Sequence, residues 1–115
     1  MNGITSTGRI KKTQIDTWDK ASNTITSIKS YDIASSYAKP NSWFNKLRCH
    51  INSVGNVTKN ITYQGQTVLV NAATKKELMV VVPNQVMSLS HRQELLRAFI
   101  YAKEKDVKII LQVAN

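Results

Sequence analysis

The pattern of hydrophobic and polar residues divides the chain into strand-like and helix-like segments, beginning with two extended stretches joined by a turn. The segment Thr24–Ser30 lacks Gly and Pro and is rich in Thr and Ile, which favours a β-strand. The preceding stretch, Ile10–Trp18, also reads as extended, and Asp19–Asn23 has the composition of a turn. We therefore predict an antiparallel hairpin near the N-terminus, preceded by residues 1–9 as a loose or weakly paired segment.

Two later segments have helical periodicity. Trp43, Leu47, Ile51 and Val54 form one apolar stripe that predicts a helix over residues 42–54, with Phe44 at its margin. Asn41 or Ser42 is the expected N-cap and Gly55 the expected stop. The second helix is predicted to begin at Ser90, where Ser90–Gln93 has capping-box spacing. Its predicted inner face consists of Leu95, Leu96, Phe99, Ile100 and Ala102.

The remaining segments predict strands. Ile61–Tyr63 and Gln66–Val70 flank a glycine and predict a small hairpin, whereas residues 31–39 fit either an extended run or a helical turn. The run Glu77–Val82 does not alternate, which predicts a strand buried on both faces. A helix separates it from Val107–Val113, so these two strands should be parallel. The expected fold class is α/β (α+β): a mixed sheet with an antiparallel N-terminal hairpin and a C-terminal parallel βαβ unit.

Composition limits the organisation and the partners. The 115 residues form one predicted domain, 1–115, and the formal net charge of +9 predicts a polyanionic partner: nucleic acid, an anionic membrane or an acidic protein. Cys49 is the sole cysteine, which excludes an intramolecular disulfide and a cysteine zinc cluster. No stretch predicts a membrane span, and residues 1–8 lack the apolar region of a signal peptide.

Candidate chemistry lies on the N-terminal hairpin. Ser27 and Lys29 point to the same face of their strand because side chains alternate, and the hairpin can bring Asp16 beside them. A carboxylate next to a lysine can bind a divalent metal and stabilise the charge of a phosphorane-like transition state. The alternative is an ordinary cross-strand ion pair with little energetic value.

The same residues carry a family resemblance. The segments Lys12–Asp19, Ala21–Thr24 and Thr26–Asp32, with Glu77–Pro83 and the last helix and strand, resemble the C-terminal toxin domains of bacterial contact-dependent growth inhibition proteins. Within these they are similar to the subgroup with a restriction-endonuclease-like, PD-(D/E)XK-type core, in which an aspartate and a turn precede a strand with Ser-x-Lys. The resemblance extends over most of residues 9–115.

The resemblance implies a site and a cofactor. Asp16 would bind a divalent metal, Mg²⁺ or Mn²⁺ with Zn²⁺ possible, and Lys29 would orient or activate the attacking water. Ser27 stands where related nucleases have a further carboxylate ligand. The family also has a glutamate on a helix before the first strand, and this sequence begins too late to contain it. Asp19 and Asp32 are the nearest substitutes, although Asp19 fits a turn residue better.

The resemblance also implies a function and partners. We expect an endonuclease toxin that cleaves nucleic acid in competitor bacteria, with tRNA as the first choice of substrate and DNA as the second. It would be secreted as part of a larger cell-surface protein, act in the target-cell cytoplasm and be blocked by a cognate acidic immunity protein. The candidate nucleic-acid contacts are Lys11, Lys12, Trp18, Lys20, Tyr31 and Lys46.

Two other functions fit the residues. A metal-free ribonuclease could use His50 or His91 as general acid or base, with Lys or Arg stabilising the transition state. A basic module that binds nucleic acid or an acidic protein without catalysis would need none of these groups. Cleavage assays with and without EDTA distinguish the three.

Overall fold

The computed structural model describes residues 7–9, 15–33, 36–63 and 65–114, and this part of the chain forms a mixed five-stranded sheet with two helices and a separate hairpin. The strands of the main sheet are arranged in the order β1-β2-β3-β6-β7. Their bounds, in chain order, are β1 Thr7–Arg9, β2 Thr17–Asp19, β3 Thr24–Ser30, β6 Lys75–Val82 and β7 Lys108–Val113. The helices are α1 Ser42–Gly55 and α2 Leu89–Glu104, and the hairpin consists of β4 Ile61–Tyr63 and β5 Gln66–Val68.

The N-terminal half of the sheet is antiparallel, as the turn composition predicts. Thr17 of β2 lies opposite Thr26 of β3, and β1 pairs with the other edge of β2. Asp19 is the last residue of β2, and its carboxylate accepts hydrogen bonds from the backbone amides of Ala21 and Ser22 in the turn that follows. Residues 7–9 form a short strand paired with β2, which agrees with the weakly paired alternative predicted for this segment. Residues 1–6 lie outside the described part.

The C-terminal half of the sheet is parallel, and β6 lies between β3 and β7. The predicted unit β6-α2-β7 is confirmed, and the structure adds a second crossover, β3-α1-β6, which the sequence did not predict. The strand order advances in one direction through both crossovers. Because connections of this kind are right-handed, the two helices should lie on the same face of the sheet. Packing of α1 against α2 agrees with this arrangement.

One helical layer explains why β6 is not buried on both faces. Leu78, Val80 and Val82 point toward the helices and are buried, whereas Met79 and Val81 point to the opposite face and are only half-buried. The prediction of a doubly buried strand is therefore wrong. The continuous apolar run reflects a second face that keeps apolar residues although neither α1 nor α2 covers it.

Helix α1 matches its prediction closely, whereas α2 does not. The predicted stripe of α1 is buried, and the helix ends at Gly55. On α2 the N-cap is Ser88, whose hydroxyl accepts from the His91 amide at 3.1 Å, two residues before the predicted start. Of the predicted inner face, Leu95 and Ala102 are buried, while Leu96, Phe99 and Ile100 are exposed. The buried face instead includes Ala98 and the carboxylate residue Glu94.

Candidate active site

Asp16 lies where β2 separates from β3, and its carboxylate extends the pairing between them. The backbone amide of Asp16 donates to the carbonyl of Thr26 at 2.8 Å, and the chain bends at this residue. Oδ2 of Asp16 then accepts a hydrogen bond from the backbone amide of Ile28 at 2.6 Å. The side chain thus occupies the position that a backbone carbonyl would fill in a continued ladder. This fixes the carboxylate beside Ile28, in the C-terminal half of β3.

The fixed carboxylate lies next to the two other predicted site residues along the strand. Ser27 and Lys29 are the neighbours of Ile28, and both point to the helix-covered face. Ser27 is 1% exposed and Lys29 is half-buried, so Lys29 lies closer to the solvent-exposed end of the strand. The structure therefore brings the backbone positions of Asp16, Ser27 and Lys29 together at the C-terminal part of β3.

A further pair, Tyr31 and His50, lies on the same side of the sheet. Tyr31 follows β3, is 2% exposed, and its hydroxyl is hydrogen-bonded to Nδ1 of His50 on α1. The two rings are tilted with centroids 5.6 Å apart. Tyr31 also packs edge-on against Trp43 of α1. The sequence did not predict this pairing, although the Ser-x-Lys-x-Tyr spacing places Tyr31 on the same face as Lys29.

Both members of this pair have shifted pKa values. Burial, and then the neighbouring Tyr37 and Cys49, raises the pKa of Tyr31 well above its ordinary value, so the phenol keeps its proton. Burial, and then the positive charges of Lys29 and Lys46, lowers the pKa of His50 to about 4. His50 is therefore neutral at neutral pH and offers no proton as a general acid.

The second histidine has a structural environment. Nε2 of His91 donates to the backbone carbonyl of Tyr37 at 2.7 Å, and its ring packs edge-on against Trp43 with centroids 5.7 Å apart. These contacts connect the start of α2 to the segment before α1. They use Nε2 of the ring, and none of them involves Asp16 or Lys29.

The predicted nucleic-acid contacts have different locations. Trp18 is 7% exposed and Tyr31 is buried as well, so neither ring has a free face on which a base could stack. Lys20 is exposed in the turn before β3, and the first residue of that strand, Thr24, is five residues and roughly 17 Å from Lys29. Lys46 is exposed on α1, one helical turn before His50. Lys11 and Lys12, the other two predicted contacts, lie outside the described residues.

The donor set at Asp16 fits a hard metal ion that keeps water ligands. Within residues 15–33, 36–63 and 65–114, no group of three or more His, Cys, Asp or Glu side chains converges on a point. One Asp16 oxygen is engaged by the Ile28 amide, and the carboxylate has a second oxygen available for coordination. Mg²⁺ is commonly held by one or two carboxylates, with waters and substrate phosphates as its other ligands. Asp16 satisfies this minimum, whereas a zinc site built only of protein ligands is not present among these residues.

The fold and the site together define a restriction-endonuclease-like domain: a mixed sheet with its helices on one face, and an aspartate fixed against a strand that carries Ser-x-Lys. The sequence matches the family described as CDI toxin restriction endonuclease-like domain over residues 9–112. The chain belongs to this family, the toxin domains of contact-dependent growth inhibition. Proteins of the restriction-endonuclease-like class typically use divalent metal ions.

A solved structure supports the fold. The chain is similar to a chain of the CdiA-CT/CdiI toxin and immunity complex from Yersinia pseudotuberculosis, with a TM-score of 0.79 and 24% sequence identity. The similarity covers 96% of this chain and 89% of that one. A search of curated protein sequences gives no match. None of the helices in the described residues has the length and apolar character needed to cross a membrane.

Proposed function

We propose that this domain is a metal-dependent endonuclease toxin that hydrolyses phosphodiester bonds in nucleic acid, with tRNA as the first substrate and DNA as the second. The observation that carries the proposal is the position of the Asp16 carboxylate, which is held by the Ile28 amide one residue from Lys29. Membership of the restriction-endonuclease-like toxin family supports the interpretation of this arrangement as a nuclease site. The order of substrates rests on the family resemblance alone.

The residues of the chain have distinct roles in this proposal. Asp16 would hold the metal, which when bound polarises a phosphoryl oxygen and lowers the pKa of a bound water. The Ile28 amide fixes the orientation of that carboxylate, so a ligand oxygen does not have to be ordered during the reaction. Lys29 would orient the attacking water and offset the negative charge that develops on the phosphate. Ser27 is a further polar group beside Asp16, although its burial limits it to contacts inside the site.

The histidine environments favour metal-dependent cleavage over the metal-free ribonuclease. A net charge of +9 favours a polyanionic substrate, which a binding module would share. The metal-free ribonuclease requires an available histidine. However, Nε2 of His91 is bonded to the Tyr37 carbonyl, and His50, whose pKa is lowered to about 4, is neutral at neutral pH and is not a general acid. The Asp16 and Lys29 arrangement therefore remains the better-supported centre.

We also propose that the domain is delivered as the end of a larger cell-surface protein into the cytoplasm of a competing bacterium and is neutralised at home by an immunity protein. The Yersinia pseudotuberculosis structure, which is a toxin and immunity complex, supports a partner of this kind. Family membership supports the delivery route.

A cleavage assay tests the proposed function. Purified domain is incubated with total tRNA and with plasmid DNA, in Mg²⁺, in Mn²⁺ and in excess EDTA, beside Asp16→Asn. We expect cleavage of one substrate that disappears in EDTA, returns when metal is restored and is absent in the variant. Cleavage that persists in EDTA would instead support the metal-free ribonuclease. Tight binding of nucleic acid without cleavage under any of the metal conditions would support the non-catalytic module.

A further inference from the structure

Three nitrogen-bearing side chains lie in the same region on the helix-covered side of β3. Lys29 and Tyr31 are two residues apart on one face of the strand, and Lys46 and His50 are four residues apart on one face of α1. The hydrogen bond between Tyr31 and His50 joins the two faces. Lys29, Lys46 and His50 therefore lie in one region of the helix-covered face, and Lys29 is next to Ile28, whose amide holds the Asp16 carboxylate.

The contact with Tyr31 determines which nitrogen of His50 carries the proton. The phenol is buried and protonated, and a buried O–H group requires an acceptor. Within the described residues, His50 Nδ1 is the hydrogen-bond partner that the structure gives this hydroxyl. Nδ1 is thus the acceptor, and a neutral imidazole then carries its proton on Nε2. The half-buried ring presents that N–H away from Tyr31.

The location is suited to an anion. Lys29 and Lys46 both act on His50 through their positive charge, which is one cause of its lowered pKa. Two ammonium groups and a fixed N–H donor are what a phosphate oxygen binds in proteins, through charge and through a directed hydrogen bond.

We propose that Lys29, Lys46 and His50 form a subsite for a substrate phosphate adjacent to the one that is cleaved, with Tyr31 as the positioning residue that holds His50 as an Nε2–H donor. This inference rests on the proposed nuclease function, because it assumes that nucleic acid reaches the Asp16 site. In this subsite His50 contributes a neutral hydrogen bond and neither donates nor removes a proton during the reaction. Lys46 contributes charge.

Binding of a labelled oligonucleotide in EDTA tests the subsite without cleavage. Fluorescein-labelled RNA and DNA oligonucleotides are titrated with wild type, His50→Leu, His50→Gln and Lys46→Gln at several salt concentrations. Lys75→Gln is the charge-matched control, because Lys75 is exposed at the first residue of β6, opposite Thr24 and roughly 17 Å along the sheet from Lys29. Unfolding curves for each variant show that it is folded before it is titrated.

The contributions of a neutral donor and of a charge differ in their salt dependence. We expect His50→Leu to weaken binding about tenfold to a hundredfold, as the loss of one hydrogen bond to a charged acceptor does, with an unchanged slope of log affinity against log salt. His50→Gln restores an N–H donor and should return to within about twofold of wild type. Lys46→Gln should lower the slope by about one, and by more than Lys75→Gln does.

Nitrogen chemical shifts of the imidazole test the positioning role of Tyr31. We expect the Nε2–H tautomer in the wild type and a mixture of the two tautomers in Tyr31→Phe. A wild-type Nδ1–H tautomer would overturn the proposal, and so would oligonucleotide binding that is unaffected by His50→Leu. Failure of the nuclease proposal has a different signature: the binding pattern appears as expected, and neither tRNA nor DNA is cleaved in metal.

Discussion

The carboxylate of Asp16 accepts a hydrogen bond from the backbone amide of Ile28 at 2.6 Å, so the acid of the proposed site is also part of the hairpin. A side chain with both roles requires substitutions that separate them. Asparagine keeps an oxygen acceptor for the Ile28 amide and removes the negative charge that a metal needs. Alanine removes both.

We predict that Asp16→Asn abolishes nucleic-acid cleavage and changes the free energy of unfolding by less than about 1 kcal/mol. Lys29→Ala should also lose activity and remain folded, because Lys29 is only half-buried. Asp16→Ala should be less stable than Asp16→Asn by about 0.5 to 1.5 kcal/mol, since the Ile28 amide loses its partner in a solvent-exposed hydrogen bond. Initial cleavage rates and urea unfolding measure these effects. Full activity of Asp16→Asn and Lys29→Ala would overturn the site assignment.

The hairpin and the site positions were predictable because their determinants are local. The composition of Asp19–Asn23 specifies a turn, and the alternation of a strand then fixes the face that Ser27 and Lys29 share. The predicted parallel pair β6 and β7 follows in the same way from strand, helix and strand lengths. Such features depend on residues close together in the chain.

Features that depend on the tertiary arrangement were not predictable. The sequence of α2 has apolar residues around much of its circumference, so periodicity could not show that Leu96 and Ile100 face solvent. It also gave no sign that Glu94, a charged residue, is buried at 4% exposure. Charged residues are rarely buried without a partner, and the partner of Glu94 lies fifty residues away on α1.

Glu94 is bonded to the first turn of α1, and this contact leads to a prediction about stability. Oε1 of Glu94 accepts from the backbone amide of Phe44 at 2.9 Å, while the N-cap residue Asn41 makes no side-chain cap and the first turn has no acidic residue. A carboxylate near a helix N-terminus bonds an unpaired amide and is favoured by the helix dipole. Glu94 therefore acts as a cap supplied by the neighbouring helix.

We predict that Glu94→Ala lowers the free energy of unfolding by about 1.5 to 3 kcal/mol, the range for a hydrogen bond to a charged group. Glu94→Gln keeps an acceptor oxygen and should lose less, because only the charge contribution is removed. Chemical denaturation of both variants measures the difference, and Glu104→Gln, exposed at the end of α2, is the surface control. Equal stability of wild type and Glu94→Ala would show that the cap has no net energetic value.

His50 predicts a pH dependence of stability. Its pKa is lowered to about 4, first by burial and then by Lys29 and Lys46, whereas the unfolded chain has the ordinary value near 6.5. Below that value the unfolded state binds a proton that the folded state does not. The contribution of His50 is therefore complete above pH of about 6.5 and is lost as pH falls toward about 4.

We predict that wild type loses more stability than His50→Gln when the pH is lowered from about 7.5 to about 4.5. Taking the difference between the two proteins cancels the titration of the other groups, which they share. Urea unfolding at the two pH values measures it, and NMR titration of the imidazole gives the pKa directly. A His50 pKa near 6.5 in the folded domain would contradict the buried, positively charged environment.

The immunity protein that we propose should be acidic, because a surface that attracts phosphate also attracts carboxylates. With 16 Lys and Arg against 7 Asp and Glu, the domain has an excess of positive charge, and Lys29 and Lys46 lie near the proposed site. An inhibitor that covers this surface would present Asp and Glu where the substrate presents phosphates. Complementary charge also accelerates association, which is valuable when an incoming toxin must be captured before it acts.

We predict an association rate constant that falls steeply with added salt and falls further in Lys46→Gln than in the control Lys75→Gln, while the dissociation rate changes less. Stopped-flow or surface-based kinetics with the cognate partner measure both constants. The two lysines carry equal charge and differ in their distance from Lys29. A general effect of net charge would therefore lower the association rate equally in the two variants. A neutral partner that binds away from Asp16 and Lys29 with salt-independent kinetics would contradict the prediction. Inhibition would then depend on occlusion of another surface, and charge would serve the substrate alone.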